Sequence, residues 1–188
     1  MFDTDKGQTL VRLARAAIGK RLGFVSHHLP RTDWLEDPGA TFVTLTLHDQ
    51  LRGCIGSLEA HRPLGEDVEH NAIAAAFLDP RFPPLTKEEF ADVIVEVSLL
   101  SKPEPIHFKD EQDALSQLNP GLDGVILEYG AHRATYLPQV WAQLPTPRIF
   151  IEQLKDKAGL PEDFWSSDIK LSHYVVQKWR EQKGGNHG

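Results

Sequence analysis

One cysteine, Cys54, stands alone in 188 residues. It has no partner for an internal disulfide. With no CxxC pair, a zinc ribbon or an iron–sulfur cluster held by this chain alone is excluded. No apolar run reaches the roughly 18 residues of a membrane span, so no membrane partner is expected. Basic charge is in deficit: 20 Lys and Arg stand against 27 Asp and Glu, a net of −7. That argues against broad nucleic-acid binding, which needs a basic surface. Internal repeats and low-complexity segments are missing. The opening "MFDTDKGQTL" is acidic and polar, unlike a secretory leader. Together these absences point to a reducing cytoplasm. HExxH is missing too, and Glu66 and His70, four apart, read as a solvated helix pair rather than as metal ligands. No cofactor is expected.

What is present is ordinary for a globular protein: 40% hydrophobic and 25% charged residues. The length fits one domain, or one domain with a small lobe. Residues 5–21 carry Leu10, Leu13, Ala14, Ala17 and Ile18 at helical spacing, and Gly23 closes the run. Residues 26–40 read as a loop broken by Pro30, Pro38 and Gly39 and anchored by Trp34 and Leu35. "TFVTLTLH" alternates, with Val43, Leu45 and Leu47 on one side and Thr44, Thr46 and His48 on the other. A turn at Asp49–Gln50 then predicts a hairpin with a second strand through Cys54.

Pro63 opens the next helix, which ends near Asp79 because Pro80 disfavours helical geometry before it. Thr86 and Glu89 form a capping-box signal. "DVIVEVSLLS" reads as a strand. Residues 111–118 read as a helix capped by Asp110. "DGVILEYGAHRATYL" reads as a hairpin turning at Gly130 in a type II′ turn. "PQVWAQL" and "PRIFIEQLKDKAGL" read as helices, with Trp141 filling the core. "IKLSHYVVQKW" reads as one last strand, and residues 181–188 as a flexible tail. Mixed helices and hairpins without a βαβ rhythm predict an α+β fold with a largely antiparallel sheet and flanking helices.

The chemistry-bearing stretch is "LHDQLRGCIGSLEA". In an extended strand Arg52, Cys54 and Gly56 share a face. Gly56 then leaves space beside the thiol, and Arg52 supplies a cation that favours the thiolate. The backbone N–H groups around Gly53 can hold an oxyanion. A thiol nucleophile needs a base, and His48, across the hairpin, is nearest in sequence of nine histidines. The competing reading makes Cys54 a small apolar filler and the glycines points of close packing.

Further along, "FLDPRFPPL" holds Asp79 and Arg81 in a stiff loop that can present an acid and a guanidinium to an anionic ligand. The alternative is internal, with Asp79 capping backbone and Arg81 paired within the chain. Glu96 shares a strand face with Ser98 inside an apolar run, where a carboxylate needs a partner; Arg52, Arg81 and Arg133 are the candidates. Arg133 leads to Gln139, which opens a helix and either faces a ligand or caps it. The expectation is that Arg52, Cys54, Glu96 and at least one of Arg81 and Arg133 gather around one concavity.

Laid end to end, "LRGCIGSLEA", "AAFLDPRFPPL", "VEVSLLS", "GLDGVILEYGAHRATYLPQVW" and "KAGL" resemble the AMMECR domain family over roughly residues 5–180. The chain looks like a bacterial or archaeal member of the type called AmmeMemoRadiSam system protein A. The resemblance implies a larger and a smaller lobe with a cleft between them, and association with a Memo-like protein and a radical-SAM protein. It marks Leu51 to Gly56 as the suspected functional segment. Where the family often reads "LCxKAGL", this chain has Lys155 at the cysteine position, so Cys54 is the only thiol a mechanism here can use. Two readings follow. One is a cysteine-dependent enzyme or enzyme subunit acting on a small anionic ligand. The other is a non-catalytic adaptor or substrate-binding subunit.

Overall fold

The structure, a computed structural model, describes residues 4–25, 28–29 and 31–182. Pro30, His27, His187 and most of the expected tail lie outside those residues. The chain divides into two units, residues 1–100 with 177–188 and residues 101–176. Each is built on its own four-stranded antiparallel sheet, which gives the α+β class. No described helix is long and apolar enough to cross a membrane.

The first unit begins with α1, Thr4–Arg21, whose Leu10, Ala14 and Ile18 are fully buried. Strands β1, Ala40–Leu47, and β2, Gln50–Gly56, form the expected hairpin. Its turn is one residue earlier than predicted. His48 and Asp49 both have positive φ, at 50° and 62°, the signature of a type I′ turn, and His48 therefore leaves the strand. A histidine in that left-handed conformation is strained. His48→Gly is expected to stabilise the protein by about 1 kcal/mol, read as a higher denaturant midpoint.

Helix α2, Leu64–Phe77, follows Pro63 and packs on β1 and β2. Helix α3, Lys87–Phe90, is one turn with the expected Thr86–Glu89 capping box. Strand β3, Val93–Leu100, pairs with β1, and with β8, Val176–Arg180, the sheet order is β2-β1-β3-β8. One face of this sheet meets α1 and α2 through Val43, Leu45, Val95 and Val97, all fully buried. The alternation that sends these residues inward sends Thr44, Thr46, Glu96 and Ser98 to the opposite face.

The sheet of the second unit joins β4, Glu104–Ile106, β7, Lys170–Tyr174, β5, Gly124–Tyr129, and β6, His132–Tyr136, in the order β4-β7-β5-β6. Strand β4, Glu104–Ile106, is only three residues long and carries no alternation to read. Strands β5, Gly124–Tyr129, and β6, His132–Tyr136, make the hairpin at Gly130. Gly130 has φ of +56° and Ala131 does not have positive φ, as a type II′ turn requires. Helix α4, Glu111–Ser116, is capped by the Asp110 side chain. Helix α5, Pro147–Lys157, buries Phe150, Ile151 and Leu154, and Trp141 stacks on Phe150 with ring centroids 3.8 Å apart.

The expected single final strand is two. Strand β7, Lys170–Tyr174, belongs to the second sheet, and β8, Val176–Arg180, to the first. At the break, Val175 exchanges hydrogen bonds with Ser101 instead of continuing a ladder. The expected tail also starts too early. Glu181 accepts from the Arg15 guanidinium and from Val95 N–H, and its own N–H bonds Val95 O.

Candidate functional site

Strand β2 is an edge strand, so its outward N–H and C=O groups need partners. At Cys54 the loop after α2 supplies them. Asp79 Oδ2 accepts the Cys54 N–H at 3.0 Å, and Arg81 Nη2 donates to the Cys54 carbonyl at 3.3 Å. Asp79 and Arg81 are also paired with each other: Arg81 Nη2 lies 2.7 Å from Asp79 Oδ2, and Arg81 Nε lies 3.0 Å from Oδ1. Asp79 is only 3% exposed. The Arg81 hydrogen bonds, with help from the Cys54 N–H, hold its carboxyl far below the ordinary carboxylate range against the opposing effect of burial. Arg81 is raised in turn, chiefly by Asp79, with a smaller contribution from Cys54. The stiff "DPR" turn thus does what the internal alternative anticipated, capping backbone and pairing within the chain. It does so on the backbone of Cys54.

Because both Cys54 backbone groups point outward, Cys54 and its partner Thr44 form a non-hydrogen-bonded pair, in which side chains approach closely. Thr44 Oγ1 lies 3.3 Å from Cys54 Sγ. Thr44 then faces Glu96 on β3, so Cys54, Thr44 and Glu96 stand in one row across three strands. The next row is Gly56, Phe42 and Ser98. Cys54 is half-buried, and Ser98 is buried.

Several expected roles do not survive. Arg52 does not serve the thiol. A register shift between Leu45 and Thr46 places a bulge at Arg52. Its guanidinium takes Glu89 in a bidentate pair, at 2.8 and 3.0 Å. That pair holds Glu89 below its ordinary value, with Thr86 assisting. The space at Gly56 is not open either. A Cβ there would sit 2.2 Å from the Phe42 ring, so the ring fills the gap beside the thiol. Gly53 is a contact point: a Cβ would lie 2.0 Å from the Ala75 carbonyl oxygen, and only glycine lets α2 come so close.

His48 fails as a base. It sits at the hairpin tip, four residues from Thr44, about 13 Å along the strand. None of the three arginines pairs with Glu96. Arg52 is held by Glu89 and Arg81 by Asp79, while in the second unit Arg133 pairs with Glu128 at 2.9 Å. Gln139 is exposed on the 3-10 turn Pro138–Ala142 of that same unit. The described residues contain no group of three potential metal ligands.

Two polar clusters escaped the sequence reading. In the first unit Asp67, fully buried, accepts from Thr41 N–H at 2.8 Å, Thr41 Oγ1 at 2.7 Å, Ser57 Oγ at 2.7 Å and Asn71 Nδ2 at 3.1 Å. Arg62 Nε lies 2.9 Å from the same carboxylate. The cluster closes the end of the β1–β2 ladder against α2. The spacing of Asp67 and Asn71 on one helix face was the available signal. In the second unit Lys155 is fully buried, with Nζ 2.8 Å from Glu111 and 2.9 Å from the Glu162 carbonyl. Where the resemblance led one to look for a second thiol, the fold has built an ion pair.

The AMMECR1 family model matches residues 11–179. A protein of Sulfolobus acidocaldarius is 39% identical over 189 residues, spanning 96% of this chain and 83% of its own length. Protein MJ0810 of Methanocaldococcus jannaschii is 37% identical, spanning 96% and 92%. The crystal structure of uncharacterized protein PH0010 from Pyrococcus horikoshii superposes with a TM-score of 0.74 at 35% identity, covering 95% of this chain and 92% of that one. The motifs, the fold and these relatives agree, and the chain belongs to the AMMECR1 family.

Proposed function

We propose that the protein is a cysteine-dependent enzyme or enzyme subunit whose reacting group is Cys54, on the face of the first unit's sheet opposite the one that packs on α1 and α2. The observation that carries this is the clamp on Cys54. Asp79 and Arg81 hold its backbone from outside while Sγ meets a hydroxyl, that of Thr44. A fixed backbone with a half-exposed thiol is the arrangement a nucleophile needs. Arg81, 55% exposed at its side chain, remains able to meet an anionic group of a small ligand. A cytoplasmic location, which keeps the thiol reduced, belongs to the same proposal.

The alternative is a non-catalytic adaptor or substrate-binding subunit working with a Memo-like and a radical-SAM partner. The Phe42 ring filling the space at Gly56 favours it, because that ring treats the motif as packing.

One measurement separates the two. With a single thiol, alkylation reports Cys54 alone. The enzyme reading expects Cys54 in the folded protein to react about tenfold faster near pH 7 than in the unfolded chain. Protection in the folded state, lost only on unfolding, rejects it and leaves the adaptor reading.

A further inference from the structure

The stretch 6–32 is a basic island in an acidic chain. It holds six Lys and Arg, two His and no Asp or Glu, against a net charge of −7 for the whole. Most of these charges sit on α1 and the turn after it. The end of α1 is closed by its own backbone. Gly23, at φ +88°, lets its N–H reach the Lys20 carbonyl and the Phe24 N–H reach that of Gly19, while Leu22 N–H takes Ile18. Lys20 and Arg21 are therefore not needed as caps for those carbonyls. Neither makes a hydrogen bond or ion pair with another described residue. The same turn stacks Phe24 on Phe90, with ring centroids 5.2 Å apart, and leaves Phe24 45% exposed.

Two hollows open along α1, and Ala16, Lys20 and Leu29 line both. The smaller, about 290 Å³, is mainly apolar, with Gly19, Phe24 and Phe90 in its wall. The larger is about 550 Å³, within the rough 300–1,000 Å³ range of small-molecule sites. Exposed Arg21 and His28 join Lys20 at its rim, above buried or half-buried Leu13, Ala17 and Ile73. Its one carboxylate among the described lining residues is Glu69, on α2; Arg31, also at the rim, already has Glu36 at 3.5 Å. Apolar walls beside uncompensated cations complement a molecule that is apolar at one end and anionic at the other.

We infer that the two hollows form one seat for an amphiphilic organic anion, its carboxylate or phosphate on Lys20 and Arg21 and its apolar chain against Ala16, Phe24 and Phe90. The seat is concave, which suits a single free molecule and not the flat surface of a bilayer. Helix α1 packs on the sheet face opposite that of Cys54, so the seat is separate from the thiol and does not rest on its reactivity.

Calorimetric titration of the full chain with octanoate and with octyl phosphate, both kept monomeric, tests this. Saturable binding of at least one is expected. Butanoate, which keeps the charge and loses most of the chain, and octanol, which keeps the chain and loses the charge, are each expected to bind at least about tenfold more weakly. Lys20→Glu with Arg21→Glu, both at exposed positions, is expected to weaken binding at least about tenfold. Ala16→Phe puts a ring into the wall common to both hollows and is expected to abolish it. The far-UV signal checks that each variant is folded, and the exposed charge variant carries the test if Ala16→Phe is not. No saturable binding of either anion overturns the seat, as does equal binding by the charge variant or by octanol. Sedimentation with phosphatidylglycerol vesicles, without binding of the monomeric anions, also overturns it and makes this face a membrane surface.

Discussion

Asp67→Ala is expected to destabilise the protein by about 3–5 kcal/mol, the range for breaking a buried charged cluster. The substitution removes the acceptor for the Thr41 N–H and hydroxyl, the Ser57 hydroxyl and one Asn71 contact. It also leaves Arg62 beside a space that held its counter-charge. Apart from Arg62, none of these groups has water within easy reach: Thr41 is fully buried, Asn71 is 2% exposed and Ser57 7%. Orphaned buried donors carry their full desolvation penalty, and here several are orphaned at once. Asp67→Asn is expected to destabilise as well, because an amide nitrogen then faces donors. Ser57→Ala removes one bond and is expected to cost about 1 kcal/mol. Equilibrium denaturation followed by the far-UV signal measures all three. A loss for Asp67→Ala no larger than that for Ser57→Ala would mean the cluster is not acting as a unit.

How far this molecule can be read from its residues depends on whether the signal is local. The β1–β2 hairpin, the Thr86–Glu89 box, the Asp110 cap and the turn at Gly130 are all set by a few neighbouring residues, and all are present. That Asp79 caps backbone and Arg81 is held within the chain was legible too, because both stand in a turn stiffened by proline; that they hold each other was not. Failures occur where distant segments decide. Arg52 alternates with Cys54 in the sequence, but the bulge and a glutamate on α3 claim it. Gly56 looked like space until the partner strand put Phe42 against it. The residues 169–179 read as one strand because their apolar pattern is continuous, and only the change of sheet at Val175 divides them. The row of Cys54, Thr44 and Glu96 needed the register of three strands, which no single segment encodes.

Asp79→Ala is the substitution that bears on both the fold and the thiol. It leaves the Cys54 N–H without its acceptor at the edge of the sheet and is expected to cost about 1–3 kcal/mol at pH 7. The pH dependence has a definite sign. The folded-state carboxyl of Asp79 lies far below its unfolded value of about 4, chiefly because Arg81 hydrogen-bonds it. Its contribution is therefore fully present above the unfolded value and is lost as pH falls below it toward the folded one. The stability gap between the wild type and Asp79→Ala is expected to be constant from pH 5 to 8 and to narrow below about pH 4. A gap that widens in acid would contradict the pairing. The same variant frees the Arg81 guanidinium, which already reaches the Cys54 carbonyl, and Cys54 alkylation at neutral pH is expected to rise several-fold. A loosened edge strand would also raise that rate. Asp79→Ala with Arg81→Ala tells the two apart: the acceleration disappears if the cation caused it and persists if the strand merely opened.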